Sequence, residues 1–187
     1  LNDKMTGVSG LSGNPAYPPM PKRQNPPISI GNHGGQLIDG FEKLGWHWWP
    51  SDNYINSTTY NGRKACNYCG AVNLGCPRGA KASTDITYWP EAIKSGVKLL
   101  TNCRVKTITT SNNGKVTGVN YVNLNNNSKE KHISAKNIIL ACNGIGTPRL
   151  MLASKSKQHP RGLANSSGLL GKNLMFHPYT MLVGMLP

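Results

Sequence analysis

One stretch decides how the fold of this chain is interpreted: Ile138-Ile139-Leu140-Ala141-Cys142-Asn143-Gly144-Ile145-Gly146-Thr147-Pro148-Arg149-Leu150. Its apolar run from Ile138 to Cys142 is typical of a strand buried on both faces, as in parallel sheets. Gly144 and Gly146 allow a tight turn and a close approach of the backbone to a ligand. Thr147 can cap a following helix, and Pro148 suits the first position of that helix. The stretch therefore predicts a buried strand, a Gly-rich turn and a helix.

Two interpretations of this turn follow. A helix that starts at the carboxyl end of a parallel strand is a natural site for phosphate, which favours a nucleotide-cofactor fold. The other interpretation is an ordinary connection between a strand and a helix, because one short Gly-rich turn is a weak signal. No Gly-x-Gly-x-x-Gly occurs in the chain.

The composition limits the classes of protein to consider. The 187 residues suffice for one sizeable core or two small ones, and no apolar run approaches the roughly 20 residues of a membrane helix. The formal net charge of +14 indicates an acidic partner, or a Lys-rich surface offset by acidic regions elsewhere. The basic residues are scattered and do not alternate with aromatic ones, so we expect no nucleic-acid binding.

The chain has an odd number of cysteines, five, and three of them are clustered: Cys66, Cys69 and Cys76. This pattern does not resemble a disulfide framework, and it fits a reducing compartment or a metal site better. Neighbouring thiolates suit zinc or an iron–sulfur cluster, so these three cysteines are the predicted metal ligands. The alternative is that they are free or loosely paired residues of a loop.

Residues 1–30 are rich in Pro, Gly and Asn and predict extended chain or loop. A helix is expected from about Gly35 to Leu44, and another from Ser83 or Thr84 to Lys94. The second helix is expected to bury Ile86, Trp89 and Ile93. The remaining strands and turns are predicted in this order: strand Val97–Ile108, turn Ser111–Gly114, strand Val116–Val122, turn Asn125–Ser128, strand Lys131–Ser134, strand Ile138–Cys142 and, near the end, strand Tyr179–Leu186.

This order of elements indicates an α/β fold with mixed α+β character. An antiparallel meander between two core strands occurs in flavoproteins that bind FAD through a dinucleotide fold.

Three segments resemble the glucose-methanol-choline (GMC) oxidoreductases. Asn143–Leu150 resembles the second signature of the family, and Gly171–Pro178 looks like the segment that follows it. Gly75–Ser83 resembles a segment of the bacterial, choline-dehydrogenase-like members. The order and spacing of all three agree, and the resemblance extends from about Gly7 to Pro187.

The resemblance implies a partial FAD-binding flavoprotein fold and part of a substrate domain. Residues 1–60 would be an extended segment with substrate-domain or lid elements. Residues 61–155 would be part of the FAD-binding domain, and residues 156–187 would start the substrate-binding domain. Because the chain opens without Met and ends without a closing element, we expect an internal fragment that is inactive alone.

The implied reaction is FAD-dependent oxidation of a small-molecule alcohol by hydride transfer to the flavin. The partners are the missing parts of the same enzyme and an electron acceptor, with oxygen, a quinone and a cytochrome all open. The compartment is equally open between cytoplasm and periplasm. No catalytic residue is assigned, because the family's base lies nearer the C-terminus than His177 does.

The resemblance also implies cofactor contacts. Val105 matches a valine whose backbone meets the adenine of FAD. The end of the predicted strand and the start of the helix match the region close to FAD: Ala141, Cys142, Asn143, Gly144 and Thr147.

Some GMC dehydrogenases that pass electrons to a cytochrome subunit carry an iron–sulfur cluster near the cysteine segment. Related sequences have a further cysteine where this chain has Val72, so Cys69 would have to replace the lost ligand of a three-iron cluster. The alternative function is therefore a small Cys-rich metal-binding module for electron transfer.

Overall fold

The computed structural model describes residues 2–11, 16, 18–125 and 129–185. The chain divides into two compact units, Leu1–Leu99 and Leu100–Pro187. The elements are, in chain order, helix α1 (Asn2–Thr6), helix α2 (Gly31–Lys43), helix α3 (Thr84–Thr87), helix α4 (Trp89–Lys94), strand β1 (Cys103–Thr110), strand β2 (Val116–Asn123), strand β3 (Lys131–Ser134) and helix α5 (Asn143–Ala153). Of the predicted turn Asn125–Ser128, residues 126–128 lie outside the described residues, as does Leu186 of the predicted last strand.

The first unit confirms two predicted helical regions and corrects their details. Helix α2 begins at Gly31 rather than Gly35. The second helix is divided into α3 and α4, with Pro90 in the first turn of α4, because proline has no backbone N–H to continue a preceding helix. The prediction that this helical region buries Ile86, Trp89 and Ile93 is wrong, because all three side chains are exposed.

Polar groups dominate the interior of the first unit. Asn56 is fully buried, and its side-chain amide donates to the carbonyls of Tyr60 at 3.2 Å and Arg63 at 3.1 Å. The Arg63 guanidinium donates to four acceptors: Thr6 O, Asn56 Oδ1, Gly79 O and Ala80 O. Because buried polar groups need partners, this network replaces the large apolar core that the first unit lacks among its described residues.

The second unit contains the predicted meander. The three strands form one antiparallel sheet in the order β1-β2-β3. The hairpin turn is confirmed, because Ser111 N donates to Lys115 O at 2.8 Å and Gly114 has φ +80°. The predicted bounds of β3 are also confirmed, whereas β1 begins at Cys103 rather than Val97.

The predicted buried strand Ile138–Cys142 is wrong. These residues form no strand, and the Ile139 side chain is 91% exposed. A strand requires a neighbour to pair its backbone groups, and the sheet formed by the described residues contains only β1, β2 and β3. The predicted strand from Tyr179 likewise forms no strand over 179–185, where the side chains are exposed.

Helix α5 packs against β1 through a buried serine. Ser154 Oγ accepts a hydrogen bond from the amide of Ile108 at 2.8 Å and donates to Leu150 O at 2.7 Å. Ile108 and Leu150 are both buried. These contacts fix the helix on the sheet, so the Gly-rich turn at its start has a defined position within the second unit.

Candidate functional site

The start of α5 is organised by Asn143. This residue has φ +60°, and its Oδ1 accepts hydrogen bonds from the amides of Ile145 at 2.9 Å and Gly146 at 3.0 Å. An asparagine tolerates this left-handed conformation and supplies the acceptor that a helix start needs. The predicted cap at Thr147 and first position at Pro148 are therefore wrong, because the helix begins at Asn143 and Pro148 lies inside it.

The turn satisfies most of its own amides. Thr147 Oγ1 accepts a hydrogen bond from Cys142 N at 3.2 Å, in addition to the two bonds accepted by Asn143. The amides of Asn143 and Gly144 donate in no hydrogen bond between described residues. These two amides are thus the donors that the turn offers to a ligand.

A cleft of about 500 Å³ lies beside this turn, within the second unit. One side is formed by residues of α5, including Gly144, Pro148 and Arg149, and the other by residues 171–175. Its volume is typical of small-molecule sites. Arg149 and Lys172 both line it, so the cleft favours a ligand with anionic groups.

The predicted cofactor residues occupy different places around this cleft. Gly144 lines it, and Ala141, Cys142, Asn143 and Thr147 lie in the turn next to Gly144. Val105 lies on β1, half-buried and paired with Tyr121, and it does not line the cleft. The pairing is irregular directly after Val105, as in a β-bulge, and such irregularities often occur next to ligand sites.

The cleft also contains residues that were not predicted as ligand contacts: Arg149, Leu152, Lys172, Asn173, Leu174 and Met175. Five of the lining positions belong to residues 171–175. That segment is one of the three that carry the sequence resemblance, but only the folded chain places it against the start of α5.

We expect Asn143→Ala to destabilise the second unit by about 2 kcal/mol, because it removes the cap and forces alanine into a left-handed conformation. Asn143→Gly loses the same side chain but accepts φ +60°, so it should cost only a few tenths of a kcal/mol. Urea unfolding of the two variants measures this difference. Equal losses of stability in both would contradict the role given to the backbone conformation.

The three clustered cysteines line a second cavity, of about 280 Å³, within the first unit. All three are free thiols, and no group of three or more His, Cys, Asp or Glu side chains in the described part of the chain is placed to hold a metal ion. The predicted ligand set Cys66, Cys69 and Cys76 therefore finds no support in the geometry.

Cys76 has an unusual environment for a thiol. Its Sγ accepts a hydrogen bond from the amide of Lys81 at 3.4 Å. This contact lowers the pKa of Cys76 below its ordinary value of 9.0, burial opposes the shift, and the amides of Arg78, Ala80 and Gly79 add to it. Donors aimed at the sulfur stabilise the thiolate relative to the thiol.

Comparison with known proteins gives one family for most of the chain. A family model described as GMC oxidoreductase matches residues 23–179. No helix among the described residues has the length and apolar character to cross a membrane.

Three relatives illustrate the similarity. A 2-methyl-1,2-propanediol dehydrogenase of Mycolicibacterium austroafricanum is 42% identical over 98% of this chain and 33% of its own length. The fructose dehydrogenase large subunit of Gluconobacter japonicus is 34% identical over 92% of this chain and 32% of its own. A long-chain-alcohol oxidase of Arabidopsis thaliana is 34% identical over 81% of this chain and 19% of its own. The chain thus spans about a third of the length of the first two relatives.

Proposed function

Because this chain belongs to the GMC oxidoreductase family, we propose that the protein containing it is an FAD-dependent enzyme that oxidises the CH–OH group of an alcohol. The observation that carries this proposal is the cleft beside the start of α5. Its two sides come from two of the three segments whose sequences resemble the family. This cleft suits a cofactor that carries phosphates. It offers a helix start, a glycine that allows the cofactor close to the backbone, and two cations.

The residues of this chain would hold and orient the cofactor. The amides of Asn143 and Gly144 would donate to it, and Arg149 and Lys172 would balance its negative charge. The backbone of Val105, beside the irregular pairing of β1, would meet the adenine. Ala141, Cys142 and Thr147 would shape the turn. When bound, the flavin supplies the acceptor for the hydride that leaves the carbinol carbon.

We also propose that residues 61–155 belong to the FAD-binding domain. Residues 1–60 would then contribute extended and lid elements of the substrate domain, and residues 156–187 would start its main part. Residues 144–152 of the cleft would come from the FAD-binding domain and residues 171–175 from the substrate domain. A cleft built by both domains would place the cofactor next to the alcohol.

An iron–sulfur cluster is not included in this mechanism. The spacing of Cys66, Cys69 and Cys76 favours it, but the described residues offer no three-ligand arrangement. The metal-binding module is therefore not the favoured function.

The relatives' names support a class of substrate. They specify a diol, fructose and long-chain alcohols, which have the CH–OH group in common. We propose a small-molecule alcohol as substrate, with the acceptor open among oxygen, a quinone and a cytochrome.

Anaerobic addition of alcohols to the purified full-length enzyme tests the proposal. We expect a bound flavin whose visible absorbance bleaches with at least one primary alcohol, diol or sugar. An enzyme without flavin, or a flavin that no member of such a panel reduces, would contradict it.

A further inference from the structure

Three side chains of the meander are joined by hydrogen bonds and have no part in the proposed alcohol oxidation. His132 and Ser134 are two residues apart on β3, so their side chains lie on the same face of the sheet. Asn120 on β2 is the register partner of His132. Ser134 Oγ lies 3.3 Å from His132 Nε2, and His132 Nδ1 lies 3.0 Å from Asn120 Oδ1. A hydroxyl, an imidazole and an amide are therefore linked in that order.

The contact with Asn120 determines which nitrogen of His132 carries the proton. An amide oxygen can only accept a hydrogen bond, so Nδ1 donates to Asn120 Oδ1 and Nε2 is the acceptor of the neutral imidazole. Ser134 Oγ then donates to Nε2. This is the order of a nucleophile, a general base and the group that orients the base.

The ring of His132 lies where a side chain at position 118 would project. A Cβ on Gly118 would lie 2.7 Å from His132 Cε1 and 2.9 Å from Nε2. Gly118 is buried and is the register partner of Ser134. A larger residue there would displace the ring, so the glycine allows His132 to lie beside Ser134. Packing and hydrogen bonds thus support the same position of the imidazole.

A cleft of about 390 Å³ opens at Ser134, within the second unit. Its volume is sufficient for a small ester, and Lys136 supplies a cation to its lining. The amide of Ala135 donates to Thr117 O at 3.0 Å. Because successive amides of a strand point to opposite sides, the amide of Ser134 faces away from β2. The ammonium of Lys136 and this amide are donors that a developing oxyanion requires.

We propose that Ser134, His132 and Asn120 form a second catalytic site, which hydrolyses small carboxylic esters. Ser134 is the catalytic nucleophile, His132 is the catalytic base, and Asn120 is a positioning residue. The activity needs no flavin and is independent of the proposed alcohol oxidation.

The reaction takes two balanced steps. Ser134 Oγ bonds to the carbonyl carbon of the ester while its proton passes to His132 Nε2. The bond from that carbon to the alcohol oxygen breaks, and the alcohol leaves with the proton. Water then bonds to the acyl carbon and gives a proton to Nε2, the bond from the acyl carbon to Oγ breaks, and Oγ takes the proton. One ester and one water become a carboxylic acid and an alcohol.

Hydrolysis of 4-nitrophenyl acetate by the full-length protein tests the proposal. The rate of nitrophenolate release should fall at least about tenfold in Ser134→Ala and in His132→Gln. Ser95→Ala is the matched control, because Ser95 is an exposed serine outside the meander, and it should keep the wild-type rate. Equal rates in Ser134→Ala and Ser95→Ala would overturn the proposal.

A labelling reagent and two variants of Asn120 separate catalysis from packing. A fluorophosphonate should phosphonylate Ser134 with loss of fluoride, and mass spectrometry locates the label. Asn120→Leu should lower nitrophenolate release at least about tenfold, whereas Asn120→Asp keeps an acceptor for Nδ1–H and should retain the activity. Labelling of Ser95 as fast as that of Ser134, or equal rates in the two Asn120 variants, would contradict the assigned roles.

Discussion

Gly144→Val in the full-length protein should lower the affinity for FAD by about tenfold or more, equivalent to about 1.4 kcal/mol, while the fold persists. A side chain at this position would project from the start of α5 into the cleft, where its Cβ meets only Leu174 Cδ1 at 3.7 Å. Gly144 does not have a left-handed φ, so the valine causes no backbone strain. The variant therefore tests occupancy of the cleft, and the flavin-to-protein ratio after purification measures it.

The same change elsewhere provides the control. Gly35 lies in α2, also without a left-handed φ, and a Cβ there would meet nothing within 4 Å. Gly35→Val should leave flavin content unchanged. Full flavin occupancy in Gly144→Val would contradict the placement of the cofactor at this turn.

Arg63→Ala should destabilise the first unit by about 3 kcal/mol, because charged hydrogen bonds are stronger than neutral ones and their carbonyl partners are left unsatisfied. The guanidinium bonds Thr6 O, Asn56 Oδ1, Gly79 O and Ala80 O, which join three separate segments. A lower urea midpoint of the full-length protein, together with faster proteolysis within residues 1–99, would report this loss.

Two further variants serve as controls for the loss of stability in Arg63→Ala. Lys64→Ala removes an exposed neighbouring cation and should change stability by no more than about 0.5 kcal/mol. Arg63→Lys keeps the charge but cannot reproduce the planar fork, so it should recover only part of the loss. Equal stability of Arg63→Ala and Lys64→Ala would show that the network does not hold the unit together.

Elements determined by local chemistry could be predicted from the sequence. The Asn113-Gly114 turn and the alternating residues on either side of it specify the β1–β2 hairpin, and β3 was predicted with its observed bounds. The start of α5 was predicted wrongly, because the side-chain oxygen of Asn143, and not that of Thr147, accepts the hydrogen bonds at the start of the helix. Cap preferences place asparagine only slightly ahead of threonine, so they do not decide between two residues four positions apart.

Elements that need a distant partner could not be predicted. The run Ile138–Cys142 has the composition of a buried strand, but none of the strands of the described residues pairs with it. The cleft could not be predicted for the same reason, because no sequence feature near Gly144 or Lys172 indicates that both residues line it. The three clustered cysteines line one cavity, but whether they could hold a metal depends on side-chain directions that their spacing does not determine.

Hydrogen–deuterium exchange of the full-length protein, with and without FAD, tests the central claim most directly. FAD should slow exchange at residues 141–147, above all at the amides of Asn143 and Gly144, and at Val105 on β1. The hairpin turn Ser111–Gly114 should exchange at the same rate in both states and so controls for a general change in stability. Equal exchange at residues 141–147 with and without FAD would contradict the claim that this turn holds the cofactor.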